Sequence, residues 1–357
     1  MNITFLLGNG FDVGLGMKSK FSEYFPIYKE QSKNKPANIK QLSEKIQADK
    51  ETWAYFEWQK GQYTSEFNLN TCQDYIDQFK DFEKSFIDYL KDEERLLDFD
   101  NNQTEISKLF IDGLQGFYKQ KKLQSASSKV LNQKFEANKN SSHKYHFVIF
   151  NYTSTLERCI ESIPNKTIVK RRIGSMEYTD SIGDIVHVHG RFEDGPIIGV
   201  DNISQIANTE LAQNKRFQKY VVKPMTNQMH RNLFDSQSLE IIQKSDVICV
   251  YGMSLGATDK KWWVHILKWL NSNAAHQFVV FDYDEKYNPK TPYDFFQKED
   301  FYIDLLSEYA EGTNIDVESL RDRIHIAIHK NIFAINLRKK NKWDYLKEDA
   351  EEIAIAK

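Results

Sequence analysis

Cysteine is nearly absent from this chain of 357 residues, and Cys72, Cys159 and Cys249 stand far apart. Such spacing gives no CxxC pair and no ligand set. It excludes a disulfide scaffold and a cysteine zinc site, and it suits a reducing compartment. Long hydrophobic runs are missing as well; none reaches the ~20 residues that a bilayer span needs. The chain also lacks a charge excess. With 48 Lys and Arg against 51 Asp and Glu, the formal net charge is −3. That removes a general electrostatic case for nucleic-acid or membrane binding. The local basic runs Lys170-Arg171-Arg172 and Arg338-Lys339-Lys340 read as solvated faces. No signal peptide precedes the first strand, so a cytoplasmic protein is expected.

What is present is the composition of a globular chain, 40% apolar and 28% charged, long enough to bury a substantial core. Short apolar runs recur at Ile3–Leu7, His146–Phe150, Ile185–Val188, Val247–Tyr251, Phe278–Phe281 and Ile324–Ile328. Most are continuous rather than alternating, the pattern of strands covered on both faces. The expected fold is α/β with an open, mostly parallel sheet.

Residues 8–145 separate the first two of these strands and differ in character. "DYIDQFKDFEKSFIDYLKDEERLL" (74–97) and "TEISKLFIDGLQGFYKQ" (104–120) carry apolar residues at helical spacing, with core as their expected role. The polar stretch 123–144 reads as a return linker. The expected division is an α/β core at 1–30 and 140–335, a helical insertion at 31–139 and a C-terminal helix at 336–357, where "NKWDYLKEDAEEIA" has helical character.

Four stretches carry candidate chemistry. In "FLLGNGFDVGLG" (5–16), Gly8, Gly10 and Gly14 form GxGxxxG directly after a strand, with backbone N–H groups free to meet a phosphate. Asp12 reads as a sugar contact or a helix cap. An ordinary dinucleotide fold would follow with a second strand ending in a ribose-binding acid within about 30 residues. None follows, so this turn is not the dehydrogenase fingerprint. In "HFVIFNYTSTLE" (146–157), Asn151 stands just past a strand, where a parallel sheet faces its ligand; a turn-stabilising asparagine is the bland alternative.

In "DIVHVHGRFEDGPIIGV" (184–200), His187 and His189 stand near a strand end, and they make a poor metal pair because no Cys or acidic cluster beside them completes a ligand set. His189, beside Gly190, is the better general base, and His187 reads as a core histidine. In "DVICVYGMSLGATDKKWWVHILKWL" (246–270), Gly252-Met253-Ser254-Leu255-Gly256 matches GxSxG between a strand and a helix. That context suits a nucleophile elbow, with Asp282 or Asp284 and His325 or His329 following in the order of α/β-hydrolases. Ser254 would equally suit a phosphate contact, and Thr258-Asp259 supplies a helix start.

The ordered set "GNGFD", "FNYTSTLE", "HVHG" and "YGMSLGATDKKWW" resembles the AbiH family of bacterial phage abortive-infection proteins, over residues 3 to about 270. More distantly it is similar to sirtuin-like NAD-binding domains. The resemblance implies a sirtuin-like Rossmann-type nucleotide-binding core with a large helical insertion after the first strand. It implies an antiphage effector that hydrolyses the nicotinamide–ribose bond of NAD. Asn151 would position water or ribose and His189 would act as base. Gly8, Asn9, Gly10, Asp12, Gly252, Ser254 and Asp259 would form the cofactor-binding set, with no metal. GNGFD departs from the sirtuin Gly-Ala-Gly-x-Ser, and the four-cysteine zinc site is missing, so protein deacylation is not implied. The partners implied are a small-molecule nucleotide, a phage-derived trigger, and a second copy or a partner protein. A serine hydrolase using Ser254 and a non-catalytic nucleotide sensor stand as alternatives.

Overall fold

The computed structural model describes residues 1–46, 53–119, 123–193, 195–229, 233–282, 292–328, 332–333 and 335–339. Among them, seven strands form one sheet: β1 (Asn2–Leu7), β2 (Lys144–Ile149), β3 (Thr167–Ile173), β4 (Met176–His187), β5 (Val247–Tyr251), β6 (Gln277–Asp282) and β7 (Ile324–Ile328). Their spatial order is β3-β4-β2-β1-β5-β6-β7. Every neighbouring pair is parallel except the edge hairpin β3–β4. Counted without β3, the parallel strands run third-second-first-fourth-fifth-sixth, the doubly wound order whose direction reverses between β1 and β5.

The apolar runs are continuous because both faces of the sheet are buried. Phe5, Phe147, Cys249 and Val279 face one core; Leu6, Val148, Val250 and Val280 face the other. The second core is closed by α12 (Phe234–Gln243), α13 (Lys260–Ser272) and α14 (Pro292–Ala310). Trp262 and Trp263 of α13 are fully buried there. The first core is shared with α8 (Thr155–Glu161) and with helices lying between β1 and β2. These are α1 (Gly10–Gly14), α2 (Phe21–Ser32), α3 (Ala37–Lys45), α4 (Trp53–Tyr63), α5 (Cys72–Arg95), α6 (Gln103–Gly116) and α7 (Ser125–Ala137). The inserted helices build no separate core. Phe117 of the segment after α6 meets Phe5 of β1 edge to face at 5.3 Å, and Phe110 stacks on Phe333 at 4.9 Å.

Three expectations change. The strand expected at Ile185–Val188 is the end of a long hairpin arm, and β3 went unread because, at the sheet edge, Ile168 is its one buried residue and the others are half-buried or exposed. The stretch 123–144 is no simple linker. It contains α7, which buries Ser128, Leu131 and Phe135 on one face and leaves its polar residues outside. Residues 336–339 are extended rather than helical: Arg338 bridges to Leu97, and Leu337 N donates to Leu15 O at 2.8 Å. The helix expected over 341–354, and also Asp284 and His329, lie outside the described residues.

Between β4 and β5 the chain forms α9 (Thr209–Gln213), α10 (Lys215–Val221) and α11 (Lys223–Met229). Gly199 matters here. A Cβ on it would lie 2.2 Å from Val221 O, so only glycine lets the segment close onto the end of α10. Lys223 N then donates to Val200 O at 2.9 Å, which delivers Lys223 to the carboxyl edge of the sheet.

Candidate functional site

The glycine turn after β1 packs on the turn after β5. Gly8 N donates to Tyr251 O at 3.0 Å and Gly10 N to Gly252 O at 2.9 Å. A Cβ on Gly10 would stand 2.4 Å from Gly252 Cα, and Gly252 itself sits at φ +69°. These glycines therefore satisfy a backbone-to-backbone contact. The expectation that the N–H groups of Gly8 and Gly10 are free for phosphate is corrected: both are spent on carbonyls of the neighbouring turn. Asn9 is also engaged inside the protein. It accepts from Ser19 Oγ at 2.6 Å and donates to Ser19 O at 3.0 Å.

Asp12 is spent inside the protein. It is buried beneath the loop after β2 and takes three hydrogen bonds: from Asn151 Nδ2 at 2.8 Å, Thr153 Oγ1 at 2.8 Å and Thr155 Oγ1 at 2.5 Å. Burial raises its pKa to about 6, against the pull of those three donors and of nearby His187. The spacing N-x-T-x-T after β2 thus serves the carboxylate of GNGFD. In the structure Asp12 is a positioning group where a sugar contact was expected. Its effect on Asn151 is specific. With Nδ2 committed to Asp12, the amide presents Oδ1 as an acceptor, and Oδ1 is buried without a hydrogen-bond partner in the protein.

His189 lies in the turn just past β4, 4% exposed, its ring edge-on to Phe150 at 5.6 Å. Nδ1 has no partner, and Nε2 faces Asp259 Oδ1 at 3.4 Å. His187, as expected, is a satisfied core residue, with Nε2 2.7 Å from Glu157 Oε1. Asn227 Oδ1 and Thr258 Oγ1 are also buried and unpartnered, and Asn227 Nδ2 reaches Val188 O at 3.5 Å. Each unpaired buried polar atom costs about 1–3 kcal/mol. Four such side chains near one sheet edge form the strongest sign of a ligand site among the described residues.

Two residues that sequence reasoning missed complete the cluster. Lys223, 2% exposed, pairs with Glu57 Oε2 at 3.0 Å and with Asp259 Oδ1 at 3.1 Å. Tyr152 OH lies 3.5 Å from Glu57 Oε1. Burial alone would raise Asp259, but the charge of Lys223 and the facing His189 ring outweigh it and hold the carboxyl well below its usual range. Burial alone would lower Lys223, but Asp259, Glu57 and Asp201 hold it above the usual ammonium range. The available signal was compositional. Glu57 in "WAYFEWQ" and Lys223 in "YVVKPM" are lone charges among apolar residues.

Ser254 is exposed on the loop after β5. The described residues give the hydrolase alternative no triad geometry at Ser254, His325 or Asp282. A nucleophile elbow strains the serine itself, whereas the positive φ angles here belong to Gly252 and Leu255. His325 is the second residue of β7 and pairs with Val279, level with Cys249. It therefore lies several residues short of the carboxyl edge that carries Ser254. It is buried, bonded to Gln277 Oε1 at 2.8 Å, and pushed down to about 4 by burial. Asp282 pairs with Lys298 at 2.8 Å.

Among the described residues no group of His, Cys, Asp and Glu has a metal-binding arrangement, and no helix is long and apolar enough to cross a membrane. Fold and site together define a mixed α/β protein with a mostly parallel doubly wound sheet and a buried polar cluster at its carboxyl edge. Within that class the chain belongs to the AbiH family, described as bacteriophage abortive infection AbiH, whose family model matches residues 4–281. That membership suggests a part in phage abortive infection. No curated protein and no solved structure matches the chain.

Proposed function

We propose that the protein is an abortive-infection effector that binds NAD at the carboxyl edge of its sheet and hydrolyses the nicotinamide–ribose bond. One observation carries the reading: Asn151 Oδ1 and His189 Nδ1 are buried and unpartnered past the ends of β2 and β4. Asn151 follows the strand next to β1, and His189 faces Asp259 of the segment after β5, so the pair borders the reversal of strand order between β1 and β5, where doubly wound sheets take their ligands.

The roles follow from atom types. Asn151 Oδ1 accepts from the attacking water, its orientation locked by the bond from Nδ2 to Asp12. The water oxygen forms the new bond to the anomeric carbon as the bond to nicotinamide breaks, its electron pair leaving with neutral nicotinamide; the proton the water loses passes to a ribose hydroxyl, which gives its own proton to His189. Positive charge develops on the sugar. Glu57 and Asp259 against Lys223 leave the cluster one negative charge in excess, which favours that charge in a low-dielectric site. Phosphate contacts fall to exposed Ser254, because Gly8 and Gly10 have spent their N–H groups. The reading is tested by nicotinamide release from NAD by wild type, Asn151→Ala and His189→Ala protein. Binding of NAD without turnover would instead mark a nucleotide sensor acting through a partner.

A further inference from the structure

A line of buried charge runs from the helical insertion to His189. Glu57 comes from α4, Lys223 from the start of α11, Asp259 from the short turn Ala257–Asp259, and His189 from the loop after β4. The contacts are Glu57 Oε2 to Lys223 Nζ at 3.0 Å, Lys223 Nζ to Asp259 Oδ1 at 3.1 Å, and Asp259 Oδ1 to His189 Nε2 at 3.4 Å. The same Asp259 oxygen serves both the lysine and the histidine. Ion pairs taken out of water recover their desolvation cost poorly, and apolar replacements are often as stable or more so. The placement of this chain, which ends on an imidazole with an unpartnered nitrogen, is better explained by what it does to the imidazole.

An ionised carboxylate facing Nε2 favours the tautomer that carries its proton there, which leaves the lone pair on Nδ1. The other groups around this line are Tyr152, whose ring lies 6.5 Å from that of His189, and Asp201, which acts electrostatically on Lys223 and Asp259 and accepts from Lys261 N at 3.2 Å. None offers Nδ1 a competing hydrogen bond, since that atom has no partner.

We propose that Glu57, Lys223 and Asp259 are positioning residues that hold His189 with its proton on Nε2 and Nδ1 as the site's base, and that α4 thereby makes the helical insertion part of the site. The role of base rests on the NAD reading above; the tautomer does not.

The test is a long-range proton–nitrogen correlation of the histidine rings in the full-length, nitrogen-15-labelled protein at pH 8, with His189 assigned by its loss in His189→Gln. Wild type is expected to show a protonated Nε2 and a bare Nδ1. Asp259→Ala, which removes the acceptor, should abolish that preference. Lys223→Met should convert His189 to the doubly protonated form, because the buried Asp259 then takes the imidazole as its counter-charge. If Lys223→Met alone fails to fold, Glu57→Gln with Lys223→Met removes the stranded acid and should give the same signature. A wild-type Nδ1–H tautomer, or ring signals unmoved in Asp259→Ala and the double variant, would overturn the proposal. Nicotinamide release on the same samples separates the two ideas. Absent turnover with the expected tautomer strikes the NAD reading alone, and turnover with unmoved ring signals strikes the positioning chain alone.

Discussion

Replacing Asp12 by Asn should change both the stability of the protein and the way that stability depends on pH. In the folded protein burial raises the carboxyl from 3.8 to about 6. A raised acid favours the folded state below its unfolded pKa and forfeits that advantage as pH climbs through the folded value. The shift of roughly two units corresponds to about 3 kcal/mol between acid and neutral pH, and about half of that falls between pH 5 and pH 7.5. Asn cannot ionise. It keeps one acceptor for the threonine hydroxyls, which lie 3.2 Å apart and can bond each other. Its amide opposes Asn151 Nδ2, and leaving that donor unpaired costs about 1–3 kcal/mol. At pH 5 the variant should therefore be the less stable protein. By pH 7.5 relief from the buried charge offsets about 1.4 kcal/mol of the deficit. Urea denaturation of both proteins at the two pH values measures the difference directly. An equal gap at pH 5 and pH 7.5 would show that Asp12 stays ionised throughout, and would refute the balance of burial against its three donors.

Further outcomes follow from the same geometry. Gly10→Ala would set a methyl 2.4 Å from Gly252 Cα, so it should lower stability by about 1–3 kcal/mol through overpacking, seen as a fall in the melting midpoint. It should do so with no NAD present, since the contact is internal. Ser254→Ala should leave folding unchanged and weaken NAD affinity only modestly, by the loss of one exposed hydroxyl; labelling of wild-type Ser254 by a fluorophosphonate would contradict this placement. Lys223→Met should cost about 3–5 kcal/mol by stranding two buried carboxylates, and the double variant with Glu57→Gln should recover part of it in a denaturation cycle.

How far the sequence disclosed this arrangement depended on where each residue's partners lie. The strands Ile3–Leu7 and Val247–Tyr251 were legible because burial on both faces leaves a continuous apolar run, a local signature. The hairpin β3–β4 was not, since Lys170, Arg171 and Arg172 on its edge arm read as a charged surface although Arg171 is tied to Asp180 at 2.8 Å. Helix α7 hid behind its serines and lysines because only one narrow face is buried. Asn151 and His189 stood out by position, just past the ends of strands. The need for glycine at 8 and 10 was legible too, but its partner was another turn, brought alongside by the pairing of β1 with β5. Glu57 and Lys223 meet only through tertiary packing, and no spacing in the chain joins residues so far apart.

The central claim is that Asn151 and His189 act together on a nicotinamide nucleotide. It is met most directly by incubating wild type, Asn151→Ala and His189→Ala with NAD, following nicotinamide by chromatography, and measuring NAD binding by calorimetry on the same preparations. Release by wild type and by neither variant is the predicted result. Failure of the wild type to bind or cleave NAD, or release that persists undiminished in both variants, would contradict it.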